Sequence, residues 1–473
     1  MNGATLSDVA LLVPELILVG MSVALIVLAR RIKNTPIAAT GTVLAALGAG
    51  MYSFWALSEG TQIGFGGMLI LDGYSQFFKV LIAATLALVA LLSVRSHDLE
   101  EVPRGEYHAL LLLASTGMML AVSSLDLLTL YLGIELMTLC SYILVGIAVD
   151  RPTSNEAAIK YFLLGSFASA LLLYGIALTY GLTGATNYQA VASVITGQGL
   201  AGNPLLLVAI GLVAAGLAFK IAVVPFHAWA PDAYQGAGAP VAGFLAAGSK
   251  AVGLAALGRV SLTAFGEEAY VLSLVLAGLA ALSIVVGSIV ALAQTDMKRL
   301  LAYSAIAHAG YALMGLMAGT REGISATMTY AFFYVFMTLG TFGVVIALGE
   351  RGRTLDGYKG LARQRPGTAA LMLLFLLSLT GIPPTGGFVA KFVVILSAVR
   401  AGYVGLAVLA VACSVISAFV YMRVAVFMYM REPEEPAPSS FPVAVSAALA
   451  VAALVTLIGG ISPGILTVWA VSP

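Results

Sequence analysis

Apolar residues along this chain come in long unbroken runs and do not alternate. The first run extends from about Ala10 to Ala29. Others are centred near Ala46, Ala83, Ala114, Leu136, Ala168, Leu212, Ala247, Leu282, Ile306, Val335, Leu377, Val411 and Ala450. A helix needs about 20 apolar residues to cross the hydrocarbon core of a bilayer. The pattern predicts an all-α polytopic membrane protein with about 14 transmembrane helices. Barrel strands would instead alternate over about 10 residues. The boundary between the fourth and fifth runs, at Ser123-Ser124-Leu125-Asp126, is the least distinct. The first run is followed, not preceded, by Arg30, Arg31 and Lys33, which marks a retained anchor rather than a signal peptide.

Composition narrows the class. Of 473 residues, 60% are hydrophobic and 10% charged, with a net charge of +1. Soluble domains carry about 25% charged residues. A soluble enzyme, a disordered chain and a nucleic-acid binder are excluded, the last because no basic stripe exists to meet phosphates. Cys140 and Cys413 lie in separate apolar runs and read as small apolar packers, since an iron–sulfur site needs clustered thiolates. No haem motif, dinucleotide fingerprint or Walker loop is present, so electrons in any redox process travel through another chain.

Lysine and arginine in loops set orientation. With both termini outside, cytoplasmic loops hold Arg30, Arg31, Lys33, Arg95, Arg104, Arg151, Lys298, Arg299, Arg351, Arg353, Lys359, Arg363, Arg365 and Arg431. Outer loops hold only Arg259, Arg321 and Arg400. No segment suffices for a separate soluble domain. Gly349 to Arg365 is too short, Gly181 to Pro204 reads as an ordinary loop, and Glu432 to Pro436 as a solvated hinge.

Four charges interrupt the apolar runs: Glu135, Lys220, Lys250 and Lys391. Each costs about 2.5–3.5 kcal/mol at the bilayer centre on insertion scales, and such residues mark ion or proton pathways. Glu135 lies nine residues from Asp126, about 13 Å deep, too far for a carboxylate to reach the interface. Pro225 should break the helix just after Lys220, and the Gly381-Ile382-Pro383-Pro384 stretch should break another ahead of Lys391. Broken helices at membrane depth line cavities or lie buried in protein. Small neighbours around Lys250 turn it toward the bundle.

Other groups are less pointed. Thr153-x-x-Glu156 looks like a capping box, with Glu156 and Lys160 spaced to pair on the surface. Lys79 and Arg423 lie near run ends, where snorkelling is feasible. His227 follows the first break and His308 lies ten residues past Lys298. Each is a proton relay or a neutral core histidine bonded to a backbone carbonyl. No cluster with metal-ligand spacing and no Gly-x-Ser-x-Gly elbow exists. A lysine whose carboxylate partner can move away alternates between holding and releasing a proton.

The motifs together resemble the antiporter-like membrane subunits of respiratory complex I, the bacterial NADH-quinone oxidoreductase. The matching stretches are Val13-Pro14-Glu15, Tyr131-x-x-x-Glu135 and Lys160-Tyr161-Phe162. They continue with Lys220-x-x-x-x-Pro225-x-His227-x-Trp229-x-Pro231-Asp232-Ala233-Tyr234 and Gly248-Ser249-Lys250. The last are Asp296-x-Lys298-Arg299-x-Leu301-Ala302-Tyr303-Ser304-x-Ile306-x-His308 and Gly381-Ile382-Pro383-x-Thr385-x-Gly387-Phe388-x-x-Lys391. The resemblance covers essentially the whole chain. Lysine rather than glutamate at position 391 argues against the M branch, and the end of the chain after the fourteenth span argues against the L branch. The N branch fits best.

The resemblance implies a single antiporter-like domain over 1–473. Three helices would fill 1–106, inverted five-helix repeats 107–262 and 270–431 (spans 4–8 and 9–13, with spans 7 and 12 broken), and a final helix 440–466. It implies that Glu135 pairs with Lys220, that Lys160 modulates the pair, and that His227, Lys250 and His308 lead to Lys391 on the outer side. The expected function is proton translocation across the bacterial inner membrane, driven by quinone reduction in other subunits. No cofactor is expected in this chain, with FMN and iron–sulfur clusters in partners and quinone as the substrate of the complex. Expected partners are the antiporter-like subunits M and L and the small subunits K and J. Two other readings stand beside it: a subunit of a multi-chain cation/proton antiporter, and a structural subunit with a vestigial channel.

Overall fold

Capping chemistry at the ends of the apolar runs sets the architecture. In the computed structural model the described residues are 6–29, 35–94, 96–434, 436, 441–462 and 464, so Arg30, Arg31, Lys33, Arg95 and Glu435 lie outside them. The chain is mostly helical, at 82%. After a short helical turn at Leu6–Ala10, the first long helices are α1 (Val13–Leu28), α2 (Thr35–Ala56) and α3 (Gly73–Leu92). A two-stranded hairpin, β1 (Gln62–Gly64) with β2 (Leu69–Leu71), joins α2 to α3. Next come α4 (Arg104–Val122), α5 (Leu127–Val145), α6 (Pro152–Thr183), α7 (Tyr188–Gly197) and α8 (Pro204–Ile221). The centre holds α9 (Trp229–Gly236), α10 (Ala239–Phe244) and α11 (Lys250–Thr263), the last two joined by a π-helical turn. Then follow α12 (Ala269–Ala291), α13 (Met297–Leu316) and α14 (Arg321–Leu348). The series ends with α15 (Pro366–Thr380), α16 (Gly386–Arg400), α17 (Val404–Met430) and α18 (Val443–Ile461). Among the described residues, eleven helices are long and apolar enough to cross a membrane.

Several boundaries have a clear cause. The indistinct junction after α4 is ended by Asp126, whose carboxylate accepts from the Leu128 and Thr129 amides at 2.9 and 3.0 Å. The Gly181 to Pro204 segment is not an ordinary loop: it contains α7, capped by Asn187. Nor is Thr153 a helix cap. The helix starts on Pro152 with no side-chain cap bond, because proline already fits the first helical position.

Both expected breaks are present. α8 ends at Ile221 with Ala222 in the left-handed region (φ 60°), and the chain passes Pro225 before α9 begins. α15 ends at Thr380 with Gly381 at φ 88°, and the chain passes two prolines before α16. Each break leaves carbonyls at a helix end inside the protein, where they need donors.

The α10–α11 pair lies inside the bundle except for the last turn of α11, and α14 nearly so. By contrast α1, α2, α6 and α17 present broad apolar faces, including Val27, Met51, Phe167 and Phe419. Such faces suit lipid or neighbouring subunits. Close backbone approach holds two helix pairs together. A Cβ on Gly117 of α4 would lie 2.6 Å from the Gly133 carbonyl of α5, and one on Gly287 of α12 would lie 2.8 Å from the Tyr303 carbonyl of α13. Only glycine permits this contact.

The left-handed cap costs a non-glycine residue about 1–2 kcal/mol. Gly381→Ala would also bring its Cβ to 2.8 Å from the Lys391 Cδ. It is therefore expected to lower stability by at least about 1 kcal/mol, whereas Ala222→Gly should not lower it. Thermal unfolding of the purified assembly carrying each variant checks the contrast.

Candidate functional site

The buried charges follow from the breaks. Lys220 is on the last turn of α8, 1% exposed, and its Nζ donates to Thr138 Oγ1 on α5 at 2.9 Å. Lys250 opens α11, is also 1% exposed, and donates to the Ile221 carbonyl at 2.6 Å. It thereby satisfies the end of α8 beside Lys220. Lys391, on α16, repeats the arrangement at the second break. Its Nζ donates to the Thr380 carbonyl at 2.8 Å and to Ser414 Oγ at 3.4 Å, and lies 4.5 Å from the Tyr311 ring centre. Carbonyls at a helix C-terminus carry about half a negative charge and attract cations.

Glu135 is half-buried on α5, one turn before Thr138. Its Oε1 accepts from Ser169 Oγ of α6 at 2.5 Å. The expected direct Glu135–Lys220 ion pair is not made. Thr138 Oγ1 is the amine's acceptor instead. Lys160 is exposed, and binds Glu156 at 2.8 Å and Asp232 at 3.1 Å. Asp232 in turn binds Arg299 at 2.6 Å, so Lys160 connects α6 to α9 and α13 and does not touch Glu135 or Lys220.

His227 is half-buried after the first break, and its Nδ1 has no hydrogen-bond partner among the described residues. His308 is buried on α13. Its Nδ1 bonds to the Tyr330 hydroxyl at 2.6 Å and its Nε2 to that of Tyr421 at 3.4 Å. The Tyr421 hydroxyl bonds to Ser304 at 2.5 Å. The Tyr311 hydroxyl bonds to Ser414, which also contacts Lys391. The buried Tyr234 hydroxyl lacks a partner among the described residues. Buried polar atoms left in this way call for water.

Three cations read as interfacial or as loop residues are buried. Lys79 does not snorkel: it is 0% exposed and lies 2.7 Å from Glu15 of α1. Lys298 is inside the fold and donates to the Ala237 carbonyl at 2.7 Å, closing the end of α9. Arg259 is within α11 and binds Asp72 through two bonds of 2.8 Å. Arg423 donates to the Leu292 and Gln294 carbonyls, at 2.7 and 2.6 Å, after α12. Near Lys298, Asp98 accepts from the Ala239 amide at 2.7 Å. Burial pushes the Asp98 carboxyl up, but Lys298, that amide and Arg151 outweigh it and hold the group below the usual carboxylate range. Thr138 and Ser169 carried no distinguishing signal in apolar helices, beyond Thr138 sharing a face with Glu135 at a spacing of three.

Comparison with known proteins places this arrangement in a class. A profile of the family described as "NADH:quinone oxidoreductase/Mrp antiporter, TM" matches residues 124–417. NADH-quinone oxidoreductase subunit N 2 of Rhizobium meliloti is 44% identical over 402 residues, covering 84% of this chain and 83% of that protein. Subunit N of Desulfovibrio desulfuricans is 43% identical, covering 98% and 96%. A chain of respiratory complex I from Thermus thermophilus with bound aureothin superimposes with a TM-score of 0.83 at 36% identity, covering 97% of this chain and 100% of that one. The chain belongs to the NADH-quinone oxidoreductase subunit N family.

The Glu15–Lys79 contact gives a test independent of the relay. Lys79→Met leaves a buried carboxylate without its partner, at a cost of about 3–5 kcal/mol. The double variant Glu15→Gln/Lys79→Met should regain most of that loss. Thermal unfolding of the assembled complex distinguishes recovery from simple additivity.

Proposed function

We propose that this chain is a proton-translocating membrane subunit of a bacterial NADH-quinone oxidoreductase. Quinone reduction elsewhere in the complex drives H⁺ through a relay of Glu135, Lys160, Lys220, His227, Lys250, His308 and Lys391. The observation that carries this is the set of buried amines at Lys220, Lys250 and Lys391, bonded to hydroxyl and carbonyl oxygens. Among the described residues no contacting carboxylate locks a proton on them, so each can take one up and give it on. FMN and iron–sulfur clusters belong to partner subunits. Subunits M, L, K and J are the membrane neighbours.

Each step follows from charge. Lys160 and Asp232 collect protons at the exposed end of α6. A cation arriving on Lys220 repels one on Lys250, which holds the adjoining Ile221 carbonyl. That proton leaves through water toward His308, whose tyrosine contacts lead to the neighbourhood of Lys391. Lys391 releases it on the outer side when its hold on Thr380 is lost. Moving one charge against 100 mV requires about 2.3 kcal/mol, and repulsion in a poorly screened interior is of sufficient size.

The fold is read as 14 spans. Spans 4–8 (107–262) and 9–13 (270–431) form inverted repeats with spans 7 and 12 broken, flanked by 1–106 and 440–466. Parallel details support the repeat. Asp126 and Asp296 cap α5 and α13, and make matching isolated bridges to Asn187 and Thr354. The glycine contacts of α4–α5 recur in α12–α13. Both termini are placed outside the inner membrane on the distribution of loop lysine and arginine. The family description also covers Mrp antiporters. A cation/proton antiporter subunit is therefore the second reading, favoured by sodium-dependent transport without quinone reductase activity.

Lys220→Ala should nearly abolish proton pumping while the complex still assembles. Lys220→Arg should fail to restore it, because a guanidinium does not deprotonate. Proton uptake per electron in reconstituted vesicles is the measurement. A parental ratio in either variant contradicts the relay.

A further inference from the structure

We propose that the cavity between α11, α14 and α16 binds one anionic phospholipid. The proposal rests on the chain's spanning a membrane and not on proton translocation, so the two can fail separately.

The cavity has a volume of about 680 Å³. Its polar lining includes Arg259, Arg321, Ser397 and Arg400 together with Asp72 and Glu322. A second cavity of about 630 Å³ shares Arg321, Ser397 and Arg400, so this lining is reached from two sides. The remaining lining is largely apolar, with Leu262, Ile324 and Val393 among its residues.

Two polar atoms of these residues lack a hydrogen-bond partner among the described residues. Ser397 is 7% exposed and its Oγ is unbonded; Arg259 is 8% exposed and its Nε is unbonded. The other two Arg259 nitrogens are occupied by Asp72, which leaves the buried Nε with an unused N–H. Arg400 binds Glu322 at 2.7 Å, while Arg321 has no ion pair among the described residues. Three arginines facing two carboxylates leave one positive charge uncompensated.

A donor set with surplus positive charge selects an anion, and phosphate suits arginine forks. A free anion would leave the apolar lining unused. An anionic phospholipid uses both parts, with its phosphate at Arg321, Ser397 and the Arg259 Nε and an acyl chain along Leu262, Ile324 and Val393. The bilayer supplies such a ligand at high local concentration.

The test uses the intact complex, delipidated in detergent and then supplied with vesicles of phosphatidylglycerol, vesicles of phosphatidylcholine, or inorganic phosphate alone. Phosphatidylglycerol should raise the thermal midpoint, and the other two should not. Native mass spectrometry should show one fewer retained phosphatidylglycerol per complex for R321Q/R400Q, whose midpoint should no longer respond. An equal response to phosphatidylcholine, a response to phosphate alone, or unchanged retention in the variant overturns the proposal. Should the variant not assemble, a high-resolution map of the unaltered complex decides. Phosphate density bonded to Arg321 supports the site, whereas an empty cavity or one filled by a neighbouring subunit's side chains overturns it.

Discussion

An ammonium group inside a membrane protein needs oxygen acceptors, and a helix that stops inside a membrane protein needs donors for its last carbonyls. Here each requirement meets the other. Lys250 closes α8 at Ile221, Lys298 closes α9 at Ala237, and Lys391 closes α15 at Thr380. Breaks and lysines are therefore one structural device. Removing the charge from any of these amines weakens the end of a helix, and moving a helix end changes how well its amine holds a proton.

The rest of the bundle keeps that device dry on the outside and polar within. Apolar faces of α1, α2, α6 and α17 surround an interior where α10, α11 and α14 are buried. Glycine contacts bring α4 to α5 and α12 to α13 with no side chain between them. Several buried polar atoms, including His227 Nδ1 and the Tyr234 hydroxyl, have no partner among the described residues. Unmet hydrogen-bonding capacity of this kind is what a chain of water molecules would satisfy.

Much of the fold was legible because membrane helices announce themselves by continuous apolarity, and both breaks because proline removes a donor at a known place. The burial of Lys220, Lys250 and Lys391 followed from the same runs. What could not be read depends on distant parts of the chain. Lys79 looked interfacial because its partner, Glu15, is on another helix. Lys298 sat among polar neighbours in sequence and Arg259 near the end of an apolar run, and both read as loop residues, yet the fold covers both. Residues 188–197 form a short amphipathic helix that glycine and asparagine neighbours disguised as a loop. The Glu135–Lys220 contact was expected as an ion pair, but a threonine one turn away reaches the amine instead.

The central claim is that the three buried amines are joined by water. A map of the intact complex at a resolution that shows ordered solvent tests it most directly. The account predicts density for water at His227 Nδ1 and the Tyr234 hydroxyl, continuing from Lys250 past His308 to Lys391. A dry, close-packed interior between Lys250 and Lys391 would contradict it.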